Sequence, residues 1–562
     1  MASGHRRALL LVAVAVFALL RLWSIDFGDP PNRFQSDERH YPIKAHQMQA
    51  WDDIGGGDDP QRRIHERQFF ENPMLFTHVL FGARVAGGWM GHEMDRGDVI
   101  LLARALAALM GAATALIIGA TARRLTGSSL AGTAACVVAG FSFLHGRDSH
   151  YGVNDVPVTF LMACAFLFGT RALTDGQRRW FVWSAVLGGL AAAMKYNGSL
   201  VAGLPMAALV LRGWDDRVKG GWDATWGWGR RLAVCTGLGA FSVVVFVCAA
   251  PMTVIRFTEF WEGFQSQLTG WGDRVNWGQE RGPGWLLYGK AGIGLVGWIH
   301  LAACMAGLVH LLRHLPREAV FTLAFPVAYL SGMLSKDLFY WRFAIPLLPF
   351  IAVFAGAWWC RVARKLARMG GIADRPWIVL TALLAIATAE PAAKLVRHNI
   401  LLERSHTWDQ ARDWIVENVD SGDHLFLEGY FPSRFPPRFK RIHRPQAHID
   451  KLHTIREGPP GAKRQVVEEG GWLVTDTYYQ HGWAMDPERA DDWAGFHERL
   501  AAAFGPPAAE FAPGPAGDPM PFIHDQVYSP LNDLWAIERP GHTVRVWRIP
   551  PDTWGQLMVS GR

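Results

Sequence analysis

Two clusters of ionisable residues border long apolar runs in this 562-residue chain, and both stand where they could do chemistry. The first is Ser36-Asp37-Glu38-Arg39-His40-Tyr41, which follows the end of an apolar run near residue 25. A positioned carboxylate can take a proton from a hydroxyl nucleophile. Adjacent acids just outside a membrane could therefore supply a general base to a substrate carried in the lipid. A solvated turn ahead of a helix N-terminus, where acids are favoured electrostatically, would use the same residues for stability alone. The second cluster is His145-Gly146-Arg147-Asp148-Ser149-His150-Tyr151-Gly152-Val153-Asn154-Asp155-Val156-Pro157. Asp155 opens an apolar run, where an ionisable side chain is costly enough to need a partner or a function. Helix capping with a proline two residues on explains that one aspartate, but not the cluster. Lys195-Tyr196-Asn197 divides two apolar runs and Tyr340-Trp341-Arg342 opens another. Cations at such depths can neutralise a lipid phosphate, or simply snorkel to the headgroups.

The elements that must position these residues are membrane helices. A span needs about 20 apolar residues to cross about 30 Å of hydrocarbon. About eleven runs qualify, centred on residues 8–25, 99–121, 128–145, 156–173, 180–194, 198–211, 232–251, 285–312, 319–334, 341–360 and 376–393. The rest of the chain has no such run, so the mean hydropathy of +0.07 averages two unlike parts. With 50% apolar and 19% charged residues, collagenous, disordered and disulfide-dense classes are excluded. All six cysteines lie in or beside apolar runs without C-x-x-C spacing, as small core residues do.

The first run follows His5-Arg6-Arg7 but continues into Arg21-Leu22-Trp23 with no small-residue cleavage site, so it is expected to be a retained anchor. With a cytoplasmic N-terminus, the inside segments carry 19 Lys and Arg, in agreement with the positive-inside rule. The first outside loop, 26–98, has 13 Asp and Glu against 8 Lys and Arg, and it is far longer than a connector needs to be. Within it, 74–90 is apolar but interrupted by His78 and Arg84, which suits an interfacial amphipathic helix better than a span. The predicted organisation is a transmembrane domain over 1–397 and a small soluble outside α/β domain over 398–562. In the latter, helices are expected near 408–415 and 491–504 and strands near 424–429, 472–475 and 543–549.

Walker, G-x-G-x-x-G, H-E-x-x-H and G-x-S-x-G motifs are absent. The net charge of +6 is spread between the apolar runs rather than massed in a patch, so no nucleic-acid partner is expected. Taken in order, the motifs resemble the GT-C superfamily of membrane glycosyltransferases, in particular glycosyltransferase family 39. That group includes dolichyl-phosphate-mannose protein mannosyltransferases and the lipid A aminoarabinose transferase. The resemblance spans about residues 8–360 and rests on Ser36-Asp37-Glu38 with His40-Tyr41 and on Glu71-Asn72-Pro73-Met74-Leu75 where the family often has His-Pro-Pro-Leu. It continues with Arg104, Arg147-Asp148-Ser149-His150 through Asp155-Val156-Pro157, Lys195-Tyr196-Asn197-Gly198, and Arg342 with Pro346 and Pro349.

The resemblance implies inverting transfer of a hexose or pentose from a polyprenyl-phosphate carrier to a protein, lipid or glycan acceptor at the outer face of the membrane, in a bacterium the inner membrane. It implies Asp37 as general base, Glu38 supporting it or contacting the sugar, and Asp155 orienting donor or acceptor. Lys195, Arg147 and Arg342 would meet the donor phosphate, and His40, Tyr41, Asp148, His150 and Glu71 would contact substrate. The adjacent acids could ligate a divalent metal, but nothing requires one, and no cofactor is assigned. The competing class is a transporter or flippase of lipid-linked sugar, which would place its site near the bilayer midplane, often in repeated halves. No inverted repeat is visible.

Overall fold

The computed structural model describes residues 2–28, 30, 36–50, 70, 72–214, 220–269, 282–335, 339–427, 435–439, 442–443, 470–478, 481, 496–515, 517, 530 and 533–551. Two compact units divide the chain. One is built from most of the residues before Arg397 and the other chiefly from Arg397 onward.

The first unit is helical. Its longest helix, Arg96–Thr126, starts at a capping box: the Asp95 side chain accepts from the Asp98 amide at 2.9 Å and the Asp98 side chain accepts from the Asp95 amide at 3.0 Å. It ends at Gly127 in the left-handed region. Among the described residues of the whole chain, five helical stretches are long and apolar enough to cross a membrane: Arg96–Thr126, Asp155–Asp175, Trp228–Ala249, Trp341–Met369 and Pro376–Asn418, the last extending past Arg397 into the second unit. Gly284–Val296 and Trp298–His314 make a sixth if counted together, though they are bent by 108°. The break falls at Gly297, whose φ of +79° suits glycine, and a Cβ there would also meet Glu390 Oε2 at 2.9 Å. Only 17% of the apolar window of Trp228–Ala249 is buried. Leu232, Val243 and Val244 are more than half exposed, an apolar exterior suited to lipid rather than water. The chain is an integral membrane protein.

The expected count of about eleven spans exceeds what these helices supply by length and composition. The runs at 128–145, 180–194 and 198–211 fall on helices of 12, 17 and 11 residues. Hydropathy registers apolar side chains, not backbone continuity. Between the last two runs, Lys195 is extended and Tyr196–Gly203 is a 3₁₀ helix, so an almost continuous apolar sequence is physically interrupted.

The second unit holds a five-stranded mixed sheet in the order β2-β1-β3-β5-β4. The strands are β1 (Leu425–Leu427), β2 (Ile442–His443), β3 (Gly471–Asp476), β4 (Ala509–Phe511) and β5 (Val544–Ile549). The first three are parallel, and β5 runs antiparallel to β3 and β4, with Leu473 opposite Trp547. Trp547 is buried and its indole N–H donates to Thr475 Oγ1 at 3.0 Å. Helices Thr407–Asn418 and Phe496–Phe504 belong to the same unit. Strands β1, β3 and β5 lie on the segments whose pattern predicts strands. The short edge strands β2 and β4 carry no such pattern.

Candidate active site

Five elements of the first unit contribute. The 3₁₀ turn Ser36–His40 carries Asp37 and Glu38. The two neighbours have opposite fates. Glu38 is fully buried and makes a two-pronged ion pair with Arg104, Nε to Oε1 at 2.7 Å and Nη2 to Oε2 at 2.9 Å. Its Oε1 also accepts from the Gly152 amide at 2.8 Å. A Cβ at Gly152 would lie 2.8 Å from the Ala103 Cβ and 3.2 Å from that carboxylate, so only glycine lets the loop approach this closely. Glu38 thus fastens the turn to the 96–126 helix and to the loop before Asp155. Both its oxygens are engaged there. It does not join Asp37 in offering a metal site, and among the described residues no group of three or more His, Cys, Asp or Glu side chains could hold one.

Asp37 keeps 23% of its side chain exposed and pairs with Arg342, the second residue of the 3₁₀ helix Trp341–Leu347, which lies over the Tyr340 ring at 4.7 Å. The second acid is held with equal economy. Asn154 donates to the Met194 carbonyl at 2.7 Å, and Lys195 Nζ lies 2.6 Å from Asp155 Oδ1, so two consecutive residues grip two others at the end of helix Arg178–Met194. Asp155 is therefore the first residue of its helix with its carboxylate on a lysine, and the capping reading fails, since no side chain caps this helix. Tyr41 joins the two acids. Burial, then the charges of Asp155 and Asp37, raise its phenol well above the ordinary range, with Arg342 opposing. A neutral hydroxyl thus stands within electrostatic reach of both carboxylates at neutral pH.

The remaining candidates fall elsewhere. Arg147 is fully buried and its Nε donates to Asp148 Oδ1 at 2.8 Å. His150 is likewise buried, with Nδ1 3.0 Å from the Gly146 carbonyl and Nε2 3.1 Å from the Trp23 carbonyl. Arg147, Asp148 and His150 thus lie together inside the loop ahead of Asp155. His40 is half-buried at the end of the turn, and Glu71 lies outside the described residues. Arg21, which the sequence suggests only as the end of an anchor, reaches from the first helix to the Gly140 carbonyl at 2.9 Å and braces the start of the same loop. Nothing in a single sequence marks that arginine as different from a snorkelling one.

Burial lowers the His150 imidazole to about 4, outweighing the raising effect of its backbone hydrogen bonds. Above the unfolded value of about 6.5 the ring is neutral in both states and its contribution is complete. Between there and about 4 the unfolded chain takes up a proton that the folded chain refuses, so stability falls by about 1.4 kcal/mol per pH unit from this group. Thermal unfolding in detergent should show wild type losing stability across that window more steeply than His150→Gln. Parallel curves would contradict the placement.

Residues 94–236, which include Arg104, Asp155 and Lys195, match the family model of dolichyl-phosphate-mannose-protein mannosyltransferases. ArnT from Cupriavidus metallidurans, solved bound to undecaprenyl phosphate and in the apo state, superposes with a TM-score of 0.50 at 16% identity, covering 84% of this chain and 94% of ArnT. The chain has a GT-C glycosyltransferase fold. Within that fold class, the oligosaccharyltransferase AglB from Archaeoglobus fulgidus, solved with an inhibitory peptide and a dolichol-phosphate, also aligns with a TM-score of 0.50. It shares 13% identity over 85% of this chain and 70% of AglB. No curated relative matches at the level of sequence. The family match excludes Asp37 and Arg342, so that pair stands on its geometry and on its place after the first helix.

Proposed function

We propose that the chain is an inverting glycosyltransferase that moves a sugar from a polyprenyl-phosphate carrier to an acceptor hydroxyl, with Asp37 as general base. The observation that carries this reading is the partly exposed Asp37 carboxylate, held by Arg342 beside the Asp155–Lys195 pair in a GT-C fold. The undecaprenyl phosphate bound to ArnT supports a donor of that class. In the proposed step the acceptor oxygen attacks the anomeric carbon while its proton passes to Asp37. The bond from that carbon to the phosphate oxygen breaks, and the electron pair leaves with polyprenyl phosphate. A phosphate monoester is a good leaving group once its charge is met, so one base and two cations suffice. Lys195 and Arg342 supply those cations. Each is paired with a carboxylate, and the leaving phosphate competes for it as negative charge develops.

The same reading puts the site at the outer face of the membrane, in a bacterium the periplasmic side of the inner membrane. The 398–562 region then lies on that side as a soluble domain, and the shorter apolar helices complete a count of about eleven spans. Comparative mass spectrometry of glycoconjugates from cells with and without the protein tests the reading. A missing mass would identify both sugar and acceptor, and identical profiles would count against it.

Lys195→Met should reduce turnover by about 10²-fold or more, the loss typical of removing one stabiliser of developing charge. The readout is kcat with lipid-linked sugar under saturating donor. An unchanged kcat with only a raised KM would reassign Lys195 to ground-state binding.

A further inference from the structure

The Trp341–Met369 stretch has a second polar end. At about 1.5 Å per residue, Arg364 lies about 30 Å along it from Arg342. Arg361, Arg364, Lys365 and Arg368 recur at intervals of three and four, which puts them on one helical face, and all four are exposed. That face borders a cavity of about 520 Å³ whose other walls come from helix Trp298–His314 and the start of helix Ser129–Gly140. The lining is cationic on one side and apolar on the other, with Leu311, Leu315 and Met369 among the apolar residues.

Three features distinguish it from an ordinary basic fringe at a helix end. None of the four cations makes an ion pair among the described residues, whereas Arg317, Arg124, Arg212 and Arg231 near other helix ends all do. Two of the guanidinium groups are instead oriented by neutral partners: Arg364 Nη2 donates to Ser128 Oγ at 3.0 Å, and Arg361 Nη1 lies 3.1 Å from His310 Nδ1. Ser128 is also the N-cap of the 12-residue helix Ser129–Gly140, so the positive end of that helix adds to the field in the cavity. The site therefore gathers fixed positive charge, holds it with groups that do not neutralise it, and joins it to an apolar wall.

We propose that this cavity binds the phosphate headgroup of an anionic phospholipid, with one acyl chain along the Leu311–Leu315 wall. It is separate from the candidate active site and does not depend on the reading of that site. The apolar wall favours a lipid over a free phosphate, and the cations favour an anionic lipid over a zwitterionic one.

Native mass spectrometry of the full chain in detergent, titrated with phosphatidylglycerol and in parallel with phosphatidylcholine, tests it. Wild type should bind phosphatidylglycerol about tenfold more tightly, and the Arg361→Gln, Arg364→Gln, Arg368→Gln triple variant should lose that preference. Arg313→Gln, which removes a charge near the same end but outside the cavity, should keep it. Equal affinity of wild type for the two lipids would overturn the proposal without recourse to any variant. So would an undiminished preference in the triple variant. Protection against thermal unfolding by inorganic phosphate equal to that by phosphatidylglycerol would reassign the cavity to free phosphate and overturn the lipid.

Discussion

Asp37→Asn should lower sugar transfer by about 10³-fold or more, within the range that general-base catalysis contributes, while leaving the protein inserted and folded. The asparagine is nearly isosteric and can still accept from Arg342 through its amide oxygen, so the turn and its neighbours keep their places. What is lost is the ability to take a proton. The rate should be compared by label transfer from a lipid-linked sugar in reconstituted vesicles, with thermal unfolding measured on the same preparations. Undiminished turnover in the folded variant would end the role assigned to Asp37.

The adjacent residue should behave in the opposite way. Glu38→Gln leaves Arg104 buried without its anionic partner, and breaking such a pair costs about 3–5 kcal/mol. Both side chains are fully buried and two hydrogen bonds join them. The expected phenotype is loss of folded protein rather than loss of chemistry, read as a large drop in the unfolding temperature or in yield. Replacing both members, Glu38→Gln with Arg104→Met, should recover much of the stability, because no uncompensated charge remains. A Glu38→Gln protein that is fully stable yet inactive would instead make Glu38 a catalytic group.

This contrast marks how far the sequence could be read. Residue type and depth were enough to single out Asp37, Asp155, Lys195 and Arg342, because ionisable groups at the edges of apolar runs need a reason to be there. Their partners were not legible. Asp37 and Arg342 are 305 positions apart and Glu38 and Arg104 are 66 apart, and no local pattern encodes which acid meets which base. The division between a partly exposed Asp37 and a buried Glu38 depends on one 3₁₀ turn, which a hydropathy profile does not register. Burial is equally illegible for Arg147 and His150, which are fully enclosed although their residue types suggest exposure. Helix type and general position were readable, but continuity was not, as the break at Lys195 within apolar sequence shows.

Pairing also explains how a site rich in charge is kept in order inside a membrane protein. Glu38 and Asp155 each pair with a cation from another element, so helix Arg96–Thr126 is tied to the Ser36–His40 turn and the start of helix Asp155–Asp175 to the end of helix Arg178–Met194. A lipid-linked phosphate would exchange with carboxylates for contacts that already exist, instead of having to recruit mobile side chains.

In the proposed reaction the bond between sugar and phosphate is broken by acceptor attack. The most direct measurement is the fate of an anomerically defined, labelled polyprenyl-phosphate sugar incubated with the purified full chain in vesicles and an acceptor extract. Wild type should release polyprenyl phosphate together with a glycosylated product of inverted anomeric configuration, and Asp37→Asn should yield neither product. Movement of the intact lipid-linked sugar between leaflets with no phosphate released, or a product of retained configuration, would contradict that reaction.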